Sequence, residues 1–346
     1  MAATLKEIAE ICGVTVSTVS NVLNDKPKVS EEKKRQIMKV VEELGYQPNY
    51  FAQGIRKTKK RIIGIITEDI MDFASVSMVE TIMAHCESNN YRTLLLNMRM
   101  YDKWDNQWYD DNTRIIESSK PMFQQIMSVK VDGFIYVAGH CRKIHCIPEN
   151  IDIPGVILYG LSAESQYPSV VLDDEAGGYS IAKFIIDKGY KNFGVISGKT
   201  DNMHTNKRLL GIQKAMFDAG LPFNPGLVYE GDWKREGGYK CAGELVKQGV
   251  KCILCMNDLM AAGVYDYLYE NGLEVGKDIA VVGYDNREIS DYMRPRLTTY
   301  DLNLSNLAQK AAEMMVDILT DYEKQKEYDN YYIAKIPGEL VVRESI

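Results

Sequence analysis

Three polar or aromatic side chains in this sequence of 346 residues stand just beyond runs where the strands of a folded sheet would end, and a fourth opens a helix. Asp285 follows Val281-Val-Gly-Tyr, Asn257 follows Cys252-Ile-Leu-Cys-Met, and Trp233 follows Tyr229-Glu-Gly-Asp. Arg208 lies near the start of a helical Arg-Leu-Leu-Gly segment. Together these types suit recognition of a polyhydroxylated ring. A carboxylate and a guanidinium clamp neighbouring hydroxyls, and an indole covers the apolar face. The same residues also admit plainer roles: an Arg208–Asp285 ion pair, Trp233 as packing, and Asp258 as the cap of the helix it begins.

Two cysteine clusters could carry metal or redox chemistry. Cys252 and Cys255 have C-x-x-C spacing, but their run reads as a buried strand, on which residues three apart face opposite sides and cannot share a metal. His140-Cys-Arg-Lys-Ile-His-Cys146 holds two of the four histidines and two of the seven cysteines in a polar stretch. Its spacings match no common closed zinc site, so no metal and no cofactor are expected. A G-x-G-x-x-G loop, a P-loop and a nucleophile elbow are absent, and no histidine has the context of a catalytic base, which argues against an enzyme.

The positioning elements alternate. Strands are expected at Ile62–Thr67, Thr93–Asn97, Gly133–Val137 and Val156–Leu158, then at Phe193–Ser197, Val228–Glu230, Cys252–Met256 and Ala280–Tyr284. Helices are expected at Val76–Asn89, Thr113–Met127, Ala176–Lys188, Lys207–Ala219, Gly237–Gln248 and Asp258–Asn271. Short buried strands alternating with helices imply parallel sheets. Two such halves make an α/β bilobed body with a cleft at the carboxyl ends of its strands. Met98–Asn112, with Trp104, Trp108 and Tyr109 among acidic residues, reads as a solvated insertion rather than a lid.

The first 60 residues are of another kind. Leu5, Ile8, Ala9 and Cys12 form one apolar stripe, Gly13 allows a sharp turn, and Val19, Val22 and Leu23 form a second stripe. Thr4 with Glu7 has the spacing of a capping box, and Thr15 can cap the second helix. Val16, Ser17, Thr18, Ser20 and Asn21 are left pointing outward. Ser30 is placed to cap a third helix, Glu31 to Leu44, with Ile37, Val40, Val41 and Leu44 on its core face and Gly45 as its stop. This is an all-α helix-turn-helix head of the kind that enters a DNA groove. Residues 1–60 carry 11 Lys+Arg against 7 Asp+Glu, whereas the whole chain is at −7. A basic head on an acidic body confines attraction for polyanions to one end and disfavours a membrane partner. The apolar content of 45% is ordinary for a soluble protein. The sequence opens on the capped helix without a signal peptide, and its thiols read as reduced, so a cytoplasmic location is expected.

Val14-Thr-Val-Ser-Thr-Val-Ser-Asn-Val-Leu-Asn24, Val29-Ser-Glu-Glu and Leu44-Gly-Tyr-Gln-Pro-Asn49 closely resemble the lactose-repressor (LacI/GalR) family of bacterial transcription regulators. Met256-Asn-Asp-Leu-Met-Ala-Ala-Gly263, Ile279-Ala-Val-Val-Gly-Tyr-Asp285, Pro295-Arg-Leu-Thr-Thr299 and Leu340-Val-Val-Arg-Glu-Ser345 extend the resemblance over nearly the whole chain. It implies a head at 1–48, a hinge helix and linker at 49–60, and at 61–346 a periplasmic-binding-protein-like body that binds effector and dimerises. It also implies a homodimer on a pseudo-palindromic operator, with DNA contacts from Thr4, Thr15, Val16, Ser17, Thr18, Asn21, Asn24, Tyr46, Asn49, Ile55 and Arg56. Ile55 matches the minor-groove wedge of the family, and Asn21 replaces a frequent basic residue, which favours adenine over guanine at its base. The effector set implied is Asp69, Phe73, Arg208, Trp233, Asn257 and Asp285, with a sugar as ligand. A phosphorylated carrier protein or a nucleobase is the alternative signal. One departure stands out: the two aromatics that follow the first strand in the family fall here on Ala74 and Ser75, with Phe73 displaced by one.

Overall fold

The computed structural model describes residues 4–23, 29–46, 60–104, 111–163, 166–329 and 331–346. They form two compact units, Met1–Lys60 and Arg61–Ile346.

In the first unit, helix α1 (Leu5–Ile11) starts at Thr4, whose hydroxyl accepts the Glu7 N–H while the Glu7 carboxylate accepts the Thr4 N–H, a complete capping box. Gly13 at φ +60° makes the turn into α2 (Val16–Leu23). Thr15 Oγ1 accepts the Thr18 N–H at 3.2 Å, which caps α2. The third helix, α3 (Glu31–Glu43), begins after Ser30, but that hydroxyl makes no capping bond. Ile8, Ala9, Cys12, Val19, Val22, Ile37 and Val41 close the core. Leu44, expected in that core, is 40% exposed: the helix ends before it, Gly45 turns the chain at φ +58°, and Tyr46 packs on the core in its place.

The second unit is built on strands β1 (Ile62–Thr67), β2 (Arg92–Asn97), β3 (Gly133–Val137), β4 (Lys143–Ile144), β5 (Gly155–Leu158), β6 (Leu161–Ser162) and β7 (Ser169–Leu172). They are followed by β8 (Gly194–Ser197), β9 (Val228–Glu230), β10 (Cys252–Cys255), β11 (Ala280–Val282), β12 (Thr299–Asp301), β13 (Ile333–Ile336) and β14 (Glu339–Val341). One parallel sheet runs β13-β7-β5-β3-β1-β2 and a second runs β11-β10-β8-β9. Helices on both faces bury β1, β3, β5, β7, β8, β10 and β11 almost completely, which is why these runs are continuously apolar rather than alternating. The chain passes between the lobes after β7, after β12 and between β13 and β14. The last residues return to the second lobe, where Ser345 Oγ donates to the Val281 carbonyl at 2.6 Å.

Several expectations need correction. The helix Leu304–Thr320, which covers the first sheet, and strands β7 and β13 extend the first lobe beyond its expected elements. Two expected strands end early, at Cys255 and Val282, because Met256 and Gly283 already leave the sheet. Met98–Asn112 is not a solvated insertion over its described part. Met98 and Met100 are fully buried, and the short helix Met100–Trp104 lies against the first lobe, its Tyr101 N–H donating to Asp69. The His140–Cys146 stretch is less polar in fact than in type: it contains β4, and Cys146 is buried with its thiol 3.1 Å from the Tyr136 hydroxyl. Among the described residues no helix is long and apolar enough to cross a membrane.

Candidate ligand cleft and DNA-reading helix

The cleft-side groups come from the carboxyl ends of both sheets. In the second lobe, the helices Asp174–Asp187 and Met203–Asp218 touch backbone to backbone. A Cβ on Gly178 would lie 2.2 Å from the Arg208 carbonyl, and one on Gly211 would lie 2.1 Å from that of Glu175. This close approach aligns Asp174 with Arg208. Arg208 Nε is 2.8 Å from Asp174 Oδ1, Nη1 donates to the Met256 carbonyl at 2.6 Å, and the guanidinium stacks 3.8 Å above the Tyr284 ring. Asp174 Oδ2 is 2.7 Å from His204 Nδ1. Burial alone would raise the Asp174 carboxyl, but His204 and Arg208 outweigh it and hold it below the ordinary value.

Asp285 stands 3.9 Å from Arg208 Nη1, a far looser contact than that of Asp174, so the anticipated Arg208–Asp285 pair is not the main one. Asp285 Oδ2 instead accepts from Arg287 Nε at 3.0 Å. Burial raises the Asp285 carboxyl against the pull of Arg287 and Arg208. The Arg287 guanidinium lies 3.7 Å above the ring of Phe73, which belongs to the first lobe. Trp233 lies flat on Gly198 just after β8, where a Cβ would strike the indole 1.8 Å from Cζ2. Asn257 accepts the Met260 N–H and donates to the Trp233 carbonyl, so it caps the helix Asp258–Glu270, a job expected of Asp258. Asp258 instead accepts from Thr299 Oγ1 and the Arg287 N–H, because it points back towards β12, and burial pushes its carboxyl up to about 8.

In the first lobe, Glu68 accepts from the Tyr136 hydroxyl at 2.6 Å, the Gly139 N–H at 2.7 Å and Arg142 Nη1 at 3.0 Å. Asp69 is buried with its two oxygens engaged by the Met71 and Tyr101 N–H groups. Asp72 caps the helix Phe73–Ser88, and its Oδ2 accepts from the Tyr101 hydroxyl at 3.3 Å. Glu68, Asp72, Tyr101, Arg142, Asp174, His204 and Arg287 were missed from sequence. The signal that could have found several of them is position, immediately after a strand.

Four of the nine described non-glycine residues with positive φ lie at the same place. Tyr159, Trp233, Asp285 and Asn286 hold φ values of +63°, +65°, +104° and +51°, a region that non-glycine residues rarely occupy and that concentrates at binding sites. Three fully buried hydroxyls near these ends, Thr67, Ser75 and Thr205, make no hydrogen bond within the protein.

On the head, Val16 is 43% exposed and Ser17 is exposed, while Thr18, Ser20, Asn21 and Tyr46 are half-buried. Thr15 Oγ1 lies 2.7 Å from Ser17 Oγ and 2.9 Å from Thr18 Oγ1, a run of linked hydroxyls at the start of α2. Thr4 is engaged in its capping box. Asn24, Asn49, Ile55 and Arg56 lie outside the described residues.

Residues 4–49 match the model of bacterial regulatory proteins of the lacI family, and residues 182–346 match that of a periplasmic binding protein-like domain. The head is a lacI-family domain. Among relatives, the HTH-type transcriptional repressor PurR of Vibrio parahaemolyticus is 26% identical over 99% of this chain and 98% of its own. The HTH-type transcriptional regulator RegA of Clostridium saccharobutylicum is 29% identical over 100% of this chain and 99% of its own. In fold the chain resembles the lac repressor dimer bound to operator and the anti-inducer ONPF, with a TM-score of 0.81 at 23% identity over 100% and 99% of the two chains.

Proposed function

We propose that this protein is a lacI-family transcriptional repressor of the cytoplasm, acting as a homodimer on a pseudo-palindromic DNA operator. A small, neutral, polyhydroxylated ligand, a sugar, bound between the lobes of the second unit sets its operator affinity. The head reads sequence from the outward side of α2, while basic residues engage phosphates. Residues 49–60 serve as the hinge that carries the ligand signal to the head.

The observation that carries the ligand class is the pairing of cleft charges. Arg142 is matched by Glu68, Arg208 by Asp174 and Arg287 by Asp285. Among the described residues these pairs leave no arginine of the cleft in surplus, which disfavours a phosphate or carboxylate ligand. The unpartnered hydroxyls of Thr67, Ser75 and Thr205 and the aromatic faces of Phe73 and Trp233 suit a ring with polar edges and an apolar face. Phe73, Arg208, Trp233 and Asp285 are the residues to test first. Asn257 and Asp69 support the site by holding its loops.

A second reading, a nucleobase, is favoured by the names of the PurR relatives. A thermal-shift panel of mono- and disaccharides, sugar phosphates and purines separates the two. A ligand at 100 times its Kd stabilises the folded state by roughly 2.7 kcal/mol, a shift of several degrees. A neutral sugar that acts on the wild type and loses its effect in Asp285→Ala supports the proposal. A response confined to purines, or to phosphorylated compounds, overturns it.

A further inference from the structure

His204 lies between the lobes and bonds to both. It occupies the first turn of the helix Met203–Asp218, one turn before Arg208 and on the same face. Its Nδ1 is 2.7 Å from Asp174 Oδ2, on the second lobe. Its Nε2 is 3.1 Å from the backbone nitrogen of Cys141, which follows β3 in the first lobe. The ring of Tyr159, also of the first lobe, lies 5.1 Å from the imidazole. His204 is 5% exposed, so water is a poor substitute for either bond.

A backbone N–H can only donate. Nε2 must therefore present a lone pair to Cys141, and the ring proton must sit on Nδ1, where the Asp174 carboxylate accepts it. The two contacts fix one tautomer between them. Asp174 Oδ1 at the same time holds Arg208 Nε at 2.8 Å. One continuous run of hydrogen bonds thus joins the first-lobe backbone at Cys141, through the imidazole and a single carboxylate, to the arginine of the second lobe.

We propose that His204 is a positioning residue, a latch whose Nδ1–H tautomer sets where the first lobe stands relative to Arg208. Its importance for ligand response rests on the cleft being the ligand site, but the latch itself is a property of the chain's own hydrogen bonds. A ligand that draws Arg208 or Asp174 towards itself changes the acceptor that fixes the tautomer, and with it the bond to the other lobe. Closure and ligand engagement are then coupled through one side chain.

The test needs no ligand. Long-range proton–nitrogen spectra of the full-length protein with labelled histidine should show, near pH 7.5, an Nδ1-protonated neutral ring whose signals vanish in His204→Phe. Hydrogen exchange at the Cys141 amide should quicken about tenfold in His204→Phe while amides within β3 stay protected, and His204→Gln, which retains an acceptor, should restore part of the protection. An Nε2-protonated or doubly protonated His204 in the wild-type chain would overturn the latch even if His204→Phe did not fold, as would unchanged Cys141 exchange in a folded His204→Phe. Failure of the cleft reading shows separately, as an Asp285→Ala variant that responds to sugars as the wild type does.

Discussion

Asp72 offers a stability change whose sign and size follow from its surroundings. It is 9% exposed at the N-cap of the helix Phe73–Ser88, where Oδ1 accepts the Ala74 N–H at 3.0 Å. Burial raises its carboxyl from the ordinary 3.8 to about 6, with Asp285 and Glu68 adding to the rise and the Ala74 N–H and Arg287 opposing it. The folded state therefore holds the Asp72 proton more tightly than the unfolded chain does. Stability from this group is full below about pH 4, falls as pH rises from about 4 to 6, and stays lost above that. At about 1.36 kcal/mol per pH unit, the interval amounts to ~3 kcal/mol at neutral pH. Asp72→Asn removes the charge but keeps an oxygen able to cap. The variant should match the wild type near pH 4 and gain on it up to pH 7, reaching a melting temperature roughly 5 °C higher. Calorimetry of both proteins from pH 4 to 8 at constant ionic strength measures this difference directly. A pH-independent gap, or a wild type that gains on the variant as pH rises, would refute the reasoning.

Thr4→Ala removes the hydroxyl that accepts the Glu7 N–H, leaving only the bond from the residue-4 N–H to the Glu7 carboxylate, and should destabilise the head by about 1 kcal/mol, read as an earlier head transition in denaturant with the second unit unmoved. Gly198→Ala puts a methyl group into the indole of Trp233, so the ring must leave its seat. A changed tryptophan emission and at least tenfold weaker ligand binding are expected, and unaltered emission would contradict the described packing. Asn21→Arg should shift base preference at its position from adenine towards guanine, by about 1–3 kcal/mol of discrimination, in a selection from random DNA.

What could be read from sequence is what local chemistry decides. Thr4 and Glu7 three residues apart, glycines 13 and 45 at the turns, and the continuous Ile62-Ile-Gly-Ile-Ile-Thr run each point to one local structure, and each adopts it. Asp285, Asn257 and Trp233 do follow strands, as their place after those runs indicated, for the same reason. Partners were harder, because they depend on how distant segments pack. Asp174 looks like an ordinary acid in the first turn of a helix, yet it holds both His204 and Arg208, 30 and 34 residues away. Tyr101 and Glu68 likewise gain meaning from Asp72 and Arg142, which no spacing rule connects to them. Strand β13 was missed because it is an edge strand with a single buried residue, Ala334, and so lacks the apolar run that marked its neighbours.

In the proposed scheme a neutral sugar between the lobes controls how tightly the head holds DNA. Fluorescence anisotropy of the full-length protein on an operator selected from random sequence, titrated with neutral sugars and purines, tests it most directly. The account predicts a pseudo-palindromic operator and at least one neutral sugar that changes its affinity by roughly 5-fold or more, an effect absent in Asp285→Ala. An operator affinity that no sugar moves, or a change that persists undiminished in Asp285→Ala, would contradict it.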